Sequence, residues 1–374
     1  MGTRSFAGCT ALAAVELPAG VAALGTAGFD GCTALASVRL PQALVAIGAD
    51  CFAGCTSLPS VALPPALVTL GCRAFKNCTS LASVDLSAAA ELQRLGSGAF
   101  ELCAALASVT APAALRHIGD SAFRGCTSLR VADMSAPAAL AAIGRGACQN
   151  CPALVSVALP GGLVQIGDSA FRRCGALAEV ALPASLVDIG AWAFADCTAL
   201  ARVALPASLC VVLPCTFEGC TALTEVVLPP ALRVLEARAF SRCTALAAVA
   251  LPAALQVVAS GAFKGCSALT AVDLPVGLWY LGVAAFAQCS ALAVVRMAEA
   301  TGLVHIGTEA FGNCTTLTDV ALPATLLSIG TCAFWRCSSL AAIELPVSIQ
   351  SIGGSAFAHC AAPPPHEEGG GVRF

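Results

Sequence analysis

The sequence predicts a repeat solenoid: about 15 stacked units of short parallel strands joined by helical or 3₁₀ turns. Three observations carry that expectation. Sixteen cysteines recur at fixed spacing from Cys9 to Cys360, twelve of the fifteen intervals being 23 residues and three being 25. Phenylalanine stands three residues before each of them except Cys151, where Cys148 takes the slot. These fifteen residues account for every Phe in the chain but Phe374. Finally, 58% of the 374 residues are hydrophobic and only 11% are charged, against about 45–50% and about 25% in ordinary domains. A 23-residue unit cannot bury its own apolar side, but stacked units bury a continuous core between neighbours.

Each segment of the unit has a physical reason, and Leu177 to Ala204 serves as the example. Leu177, Val180 and Leu182 form a short apolar stretch that reads as a strand with one buried face. Pro183 ends it, because proline has no N–H to give to a ladder. Proline holds that slot in twelve of fifteen units, and the exceptions, Ser87, Ser135 and Ala298, belong to the three units with two extra residues. A different turn geometry is expected there. Leu186, Ile189 and Gly190 predict a second buried edge followed by a tight turn.

Ala193-Phe194-x-x-Cys197 predicts one helical or 3₁₀ turn. The residue before the cysteine is Gly, Asn or Asp in ten of sixteen units, the choice a left-handed cap selects. Thr follows the cysteine nine times, which suggests a hydroxyl bonded to the backbone at the corner. The turn glycine is lost in three consecutive units, at Leu213, Glu236 and Ala259. If that glycine requires positive φ, a change of twist or a bulge follows around residues 209–262. Strands ~4.8 Å apart over fifteen steps predict a body roughly 70 Å long. The organisation expected is a solenoid over residues 1–360 and a disordered tail over 361–374, where Pro, Gly and charge mix without apolar periodicity.

The pattern I-G-x-x-A-F-x-x-C-x-x-L-x-x-V combined with L-P resembles the leucine-rich repeats of the BspA type, over residues 2–360. The resemblance implies surface adhesion and protein recognition, with no catalytic residues to carry over. It also implies a secreted or cell-surface setting if the N-terminus is truncated. Without a visible signal peptide the default compartment is cytoplasmic.

Net charge −3, from 19 basic and 22 acidic residues, argues against a nucleic-acid partner. Residues 243–263 carry no charge and are long enough to span a bilayer. Their proline and glycine sit at repeat positions, however, so no transmembrane span is expected. The register cysteines project in parallel, which disfavours disulfides and the convergent geometry of zinc. They read as small buried hydrophobes, and neither metal nor cofactor is expected. Gly119-Asp120-Ser121 and Gly167-Asp168-Ser169 mimic a nucleophile block but occupy ordinary repeat slots, and His117 and His305 share one slot eight units apart. An enzyme is not expected.

Function should therefore lie on residues the repeat leaves free. In the strand L-x-x-V-x-L the residues flanking Val point away from the core. Those columns hold mostly Ser and Ala, with Glu179, Arg202 and Glu225 as the densest polar cluster and Asp273 and Arg296 as a further opposite-charge pair. The expectation is a non-catalytic scaffold binding a protein or glycoprotein on this face, using Glu179, Arg202, Glu225, Asp273 and Arg296. The alternative is a structural or degenerate array without a specific ligand, a fragment of a longer surface protein. The chain is expected to be a monomer or to associate end to end through uncapped termini.

Overall fold

The computed structural model describes residues 1–361. The expected tail lies, but for Ala361, outside the described residues. Two compact units divide the chain, Met1–Cys197 and Thr198–Phe374, and each is built of the same coil.

In the first unit an eight-stranded parallel sheet runs from Ala23–Leu24 through Ala46–Ile47, Thr69–Leu70, Arg94–Leu95, His117–Ile118, Ala142–Ile143 and Gln165–Ile166 to Asp188–Ile189. In the second unit seven such strands run from Val211–Val212 to Ser351–Ile352. These are the Leu-x-x-Ile-Gly edges. The L-x-x-V-x-L segments form a second set of parallel strands of two or three residues, among them Ser108–Thr110, Val131–Asp133 and Ser156–Ala158 in the first unit. Arg202–Ala204 and Glu225–Val227, and Ala271–Asp273, Val294–Arg296 and Asp319–Ala321, belong to the second unit. Identical repeat positions face each other across the ladders, as Val272 faces Val295. The 23- and 25-residue intervals thus translate directly into register, and from Ser108–Thr110 onward the central Val or Ala of each three-residue strand is buried while its flanks are more open; in the first two coils Val15 and Val38 are half-buried.

The third side of the coil departs from expectation. No helix or 3₁₀ segment occurs among the described residues; the A-F-x-x-C stretch is a chain of separate turns. In one coil Ala193 N–H donates to Gly190 O at 3.2 Å, Ala195 N–H to Trp192 O at 3.1 Å, and Cys197 N–H to Phe194 O at 3.2 Å. The physical reason is handedness. All twenty-three non-glycine residues with positive φ, and all nine such glycines, sit two residues before or two residues after the Phe slot. Trp192 (φ 62) and Asp196 (φ 59) are the pair in this coil. A left-handed residue at the third position of a turn is the type II signature, and two of them four residues apart interrupt any right-handed helix. The Gly, Asn and Asp preference before the cysteine did report a left-handed residue, but it caps a turn rather than a helix. The cost of the left-handed residues is offset by an inter-coil ladder: in the first unit Ser169, Phe171 and Arg173 each donate an N–H to the next coil, at Ala191, Ala193 and Ala195, each at 2.8 Å.

Inside this side the phenylalanine rings stack. Phe6 through Phe123 form one run and Phe217 through Phe357 another, with centroids 5.1–5.6 Å apart and planes within 12° of parallel. The register cysteines are more than small hydrophobes. From Cys32 to Cys197 and from Cys243 to Cys360 each register thiol donates to the carbonyl of the Phe slot one coil earlier, as Cys78 does to Phe52 (3.1 Å), Cys174 to Cys148 (3.2 Å) and Cys266 to Phe240 (3.2 Å). All 22 cysteines are free thiols. Burial pushes the interior ones up, Cys78, Cys151, Cys197, Cys266 and Cys314 to about 12, because a thiolate there would lose its water.

The turn glycine also works differently from expectation. None of the glycines from Gly25 to Gly190 in that slot has positive φ; a Cβ on Gly48 would instead stand 2.7 Å from the carbonyl carbon of Gly25, and one on Gly119 2.5 Å from Ser97 N. Close backbone stacking, not left-handedness, selects glycine here. Leu213, Glu236 and Ala259 accordingly keep the ordinary turn: none has positive φ. Glu236 N–H reaches Val212 O at 2.9 Å and Ala259 N–H reaches Leu235 O at 2.8 Å, matching Gly71 to Ile47 at 2.8 Å. In the Leu-x-x-Ile-Gly ladder the register through these coils is unbroken, so that ladder shows no bulge at 209–262; in the other ladder residues 248–250 form no strand.

Two of the three long units replace the proline turn as anticipated. Asp85 Oδ1 accepts from Ser87 N (3.0 Å) and Ser87 Oγ (2.6 Å), and Asp133 Oδ1 accepts from Ser135 N (3.0 Å) and Ser135 Oγ (2.6 Å). The side chain supplies the turn bond that proline's fixed φ would otherwise make unnecessary.

Candidate functional site

The strands that follow each Leu-x-x fix the candidate face, because their alternation sends one residue inward and two outward. Glu179 lies exposed in the first unit; Arg202, Glu225, Asp273 and Arg296 lie exposed in the second. Arg202 and Glu225 stand directly opposite each other on adjacent parallel strands. No ion pair of 4 Å or less joins them among the described residues, so both heads remain open to solvent. Asp273 and Arg296 also face each other in register, and here Arg296 Nη1 donates to Asp273 Oδ1 at 3.2 Å. With side chains 62% and 74% exposed, that pair is worth little to stability. Glu16 and Arg39 repeat the arrangement in the first unit at 3.8 Å.

One feature of this face escaped the sequence. A shallow groove of about 400 Å³ is lined by Ser60, Ser83, Ser108, Thr110, Asp85 and the strand backbone around Val61 and Val84. The small column residues leave the space, and the Ser87 hydroxyl bonded to Asp85 holds its carboxyl below the usual carboxylate range. The signal was present as a run of serines at one repeat position, but a serine column carries no sign of depth.

The corner threonines are engaged by backbone, as Thr221 Oγ1 to Thr198 O at 3.4 Å and Thr244 Oγ1 to Thr221 O at 3.3 Å. Residues 243–263 are ordinary coil, with Val257–Val258 paired on both sides. No helix among the described residues is long and apolar enough to cross a membrane. No group of three or more His, Cys, Asp or Glu among them is arranged to hold a metal ion.

Comparison with known proteins agrees with this geometry. The family model described as BspA type Leucine rich repeat region (6 copies) matches residues 1–130, 141–270 and 235–362. A leucine-rich repeat protein from Bacteroides ovatus is 25% identical, with 86% of this chain and 87% of that chain covered and a TM-score of 0.67. A leucine rich cell surface protein from Faecalibacterium prausnitzii is 22% identical over 94% of this chain and 86% of its own, with a TM-score of 0.50. No curated protein matches.

Proposed function

This chain belongs to the BspA-type leucine-rich repeat family, and on that premise we propose that it is a non-catalytic scaffold recognising a protein or glycoprotein on the outward face of its L-x-x-V-x-L strands. The observation that carries this reading is the open pair Arg202 and Glu225. They are charged, exposed and locked in register, yet no ion pair spends them on one another. Strand pairing holds their backbones rigid, so a partner orders only two side chains on binding, which keeps the entropic cost low. The other column residues are mostly small, and the groove of the first unit is shallow and open, which suits a broad protein surface better than a small substrate, whose sites bury most of the ligand.

The test is a panel of purified glycoproteins, each with its deglycosylated form, presented to the wild-type chain and to the double variant Arg202→Glu, Glu225→Arg. A partner bound by the wild type is expected to lose at least tenfold in affinity to the double variant, with the unfolding midpoint unchanged. Equal binding by both chains would remove this patch from the account. Binding to no member of the panel would favour an array without a ligand.

A further inference from the structure

The second sheet of the first unit carries a feature that the recognition face does not use. Arg94 and His117 occupy the same outward slot on adjacent strands and lie directly opposite each other in register. Arg116 stands in the slot beside His117, its N–H bonded to the carbonyl of Gln93 at 2.9 Å. All three side chains are exposed. Two of them are permanent cations, and the imidazole between them offers a further N–H donor. Several other cations of this unit are matched: Arg73 to Asp50, Lys76 and Arg124 to Glu101, Arg145 to Asp168. Arg94 and Arg116 have no ion pair among the described residues. Glu91, three residues before Arg94, forms none either, and Asp120 is occupied by the backbone N–H of Arg145 at 2.8 Å.

We propose that Arg94, Arg116 and His117 form an oxyanion-binding site for a sulfated glycan, on a face separate from the recognition surface above. Strands ~4.8 Å apart bring the heads of Arg94 and His117 within reach of one tetrahedral sulfate. Arginine's planar fork suits such a group. The flanks are polar: Thr69 opposes Arg94 on the preceding strand, and Gln93 lies beside it. Hydroxyl- and amide-bearing neighbours match the hydroxyls of a sugar ring. A nucleic acid fits less well, since it needs a longer basic track and aromatic rings for base stacking, and the phenylalanines of these coils, Phe75, Phe100 and Phe123, are buried.

The experiment uses the full chain and a fluorescent heparin-derived octasaccharide, followed by anisotropy at two salt concentrations. The wild type is expected to bind, more weakly at higher salt, and not to bind the desulfated octasaccharide. Arg94→Ala with Arg116→Ala is expected to lower affinity at least tenfold with the unfolding midpoint unchanged, while Arg233→Ala, at an exposed arginine of the second unit, leaves binding as it is. The proposal falls if the wild type does not bind the sulfated probe, if the double variant binds as well as wild type, or if the desulfated probe binds equally. Tighter binding of a phosphopeptide or a single-stranded oligonucleotide through the same arginines would overturn the glycan as partner. None of these outcomes depends on Arg202 and Glu225, so this site and the recognition face fail or stand separately.

Discussion

The phenylalanine turns and the outward strand slots lie in the same coils, and they could hardly differ more. In the turns every column repeats: ring on ring at 5.1–5.6 Å, thiol to carbonyl at 3.1–3.3 Å, left-handed residues at two fixed places. In the outward slots Ser, Ala, Glu, Arg and Asp succeed one another with few contacts. The difference follows from what each side chain touches. An inward residue packs against its own repeat equivalent, so a change in one coil is felt in two others. An outward residue has solvent on one side and is held only by its backbone. Fold is therefore distributed over the repeated columns, and recognition is left to the positions the repeat does not constrain.

The sharpest way to break this contrast is alkaline pH, through the buried thiols whose pKa the fold raises. Thiols held at about 12 in the fold titrate near 8.5 when unfolded. Between those values the unfolded chain releases protons that the folded chain keeps, so stability is complete below about pH 8.5 and falls as pH rises toward 12. Each such thiol contributes a loss of about 1.4 kcal/mol per pH unit in that window. Unfolding free energies from urea titrations at pH 7.5 and 9.5 should differ by several kcal/mol, and equal values would show that the thiols are not shielded. Iodoacetamide at pH 8 should likewise label Cys72 and Cys210, which are exposed, and spare Cys174 and Cys266.

A smaller effect is expected at the stacking glycine. Gly119→Ala places a methyl 2.5 Å from Ser97 N and should cost about 1–3 kcal/mol, as overpacking does, measured by thermal unfolding. If the slot tolerated alanine there as freely as at Ala259, close stacking would not be what selects glycine. The smallest effect belongs to an exposed pair. Arg73 grips Asp50 through two bonds of 2.7 and 2.8 Å and holds its carboxyl low. That contribution is present above about pH 4 and is lost as pH falls through the depressed value. Arg73→Ala should therefore cost no more than ~1 kcal/mol at pH 7 and nearly nothing at pH 2.

Much of this was legible in the chain, and the reasons are particular. Spacing alone located the strands, because side chains such as Val272 and Val295 oppose each other at exact repeat distance. The A-F-x-x-C turn was misjudged because Ala, Phe and Cys at i, i+1 and i+4 look helical, and nothing in Arg73 or Trp192 announces positive φ. The glycine slot was misassigned for a related reason: sequence shows that a side chain is missing, not whether φ or crowding excludes it. The face residues were found by removing what the repeat explains. Arg94 and His117 belong to different repeats and become neighbours only once the strands stand side by side.

The division between repeated columns and free slots is tested most directly by equilibrium urea unfolding of two single variants in the same unit, Phe240→Ala and Glu225→Gln. Phe240 is fully buried between Phe217 and Phe263, at 5.3 and 5.6 Å, and its loss should cost about 3–5 kcal/mol. Glu225 is exposed, and its replacement should stay within about 0.5 kcal/mol of wild type. Comparable losses from the two variants would contradict the account.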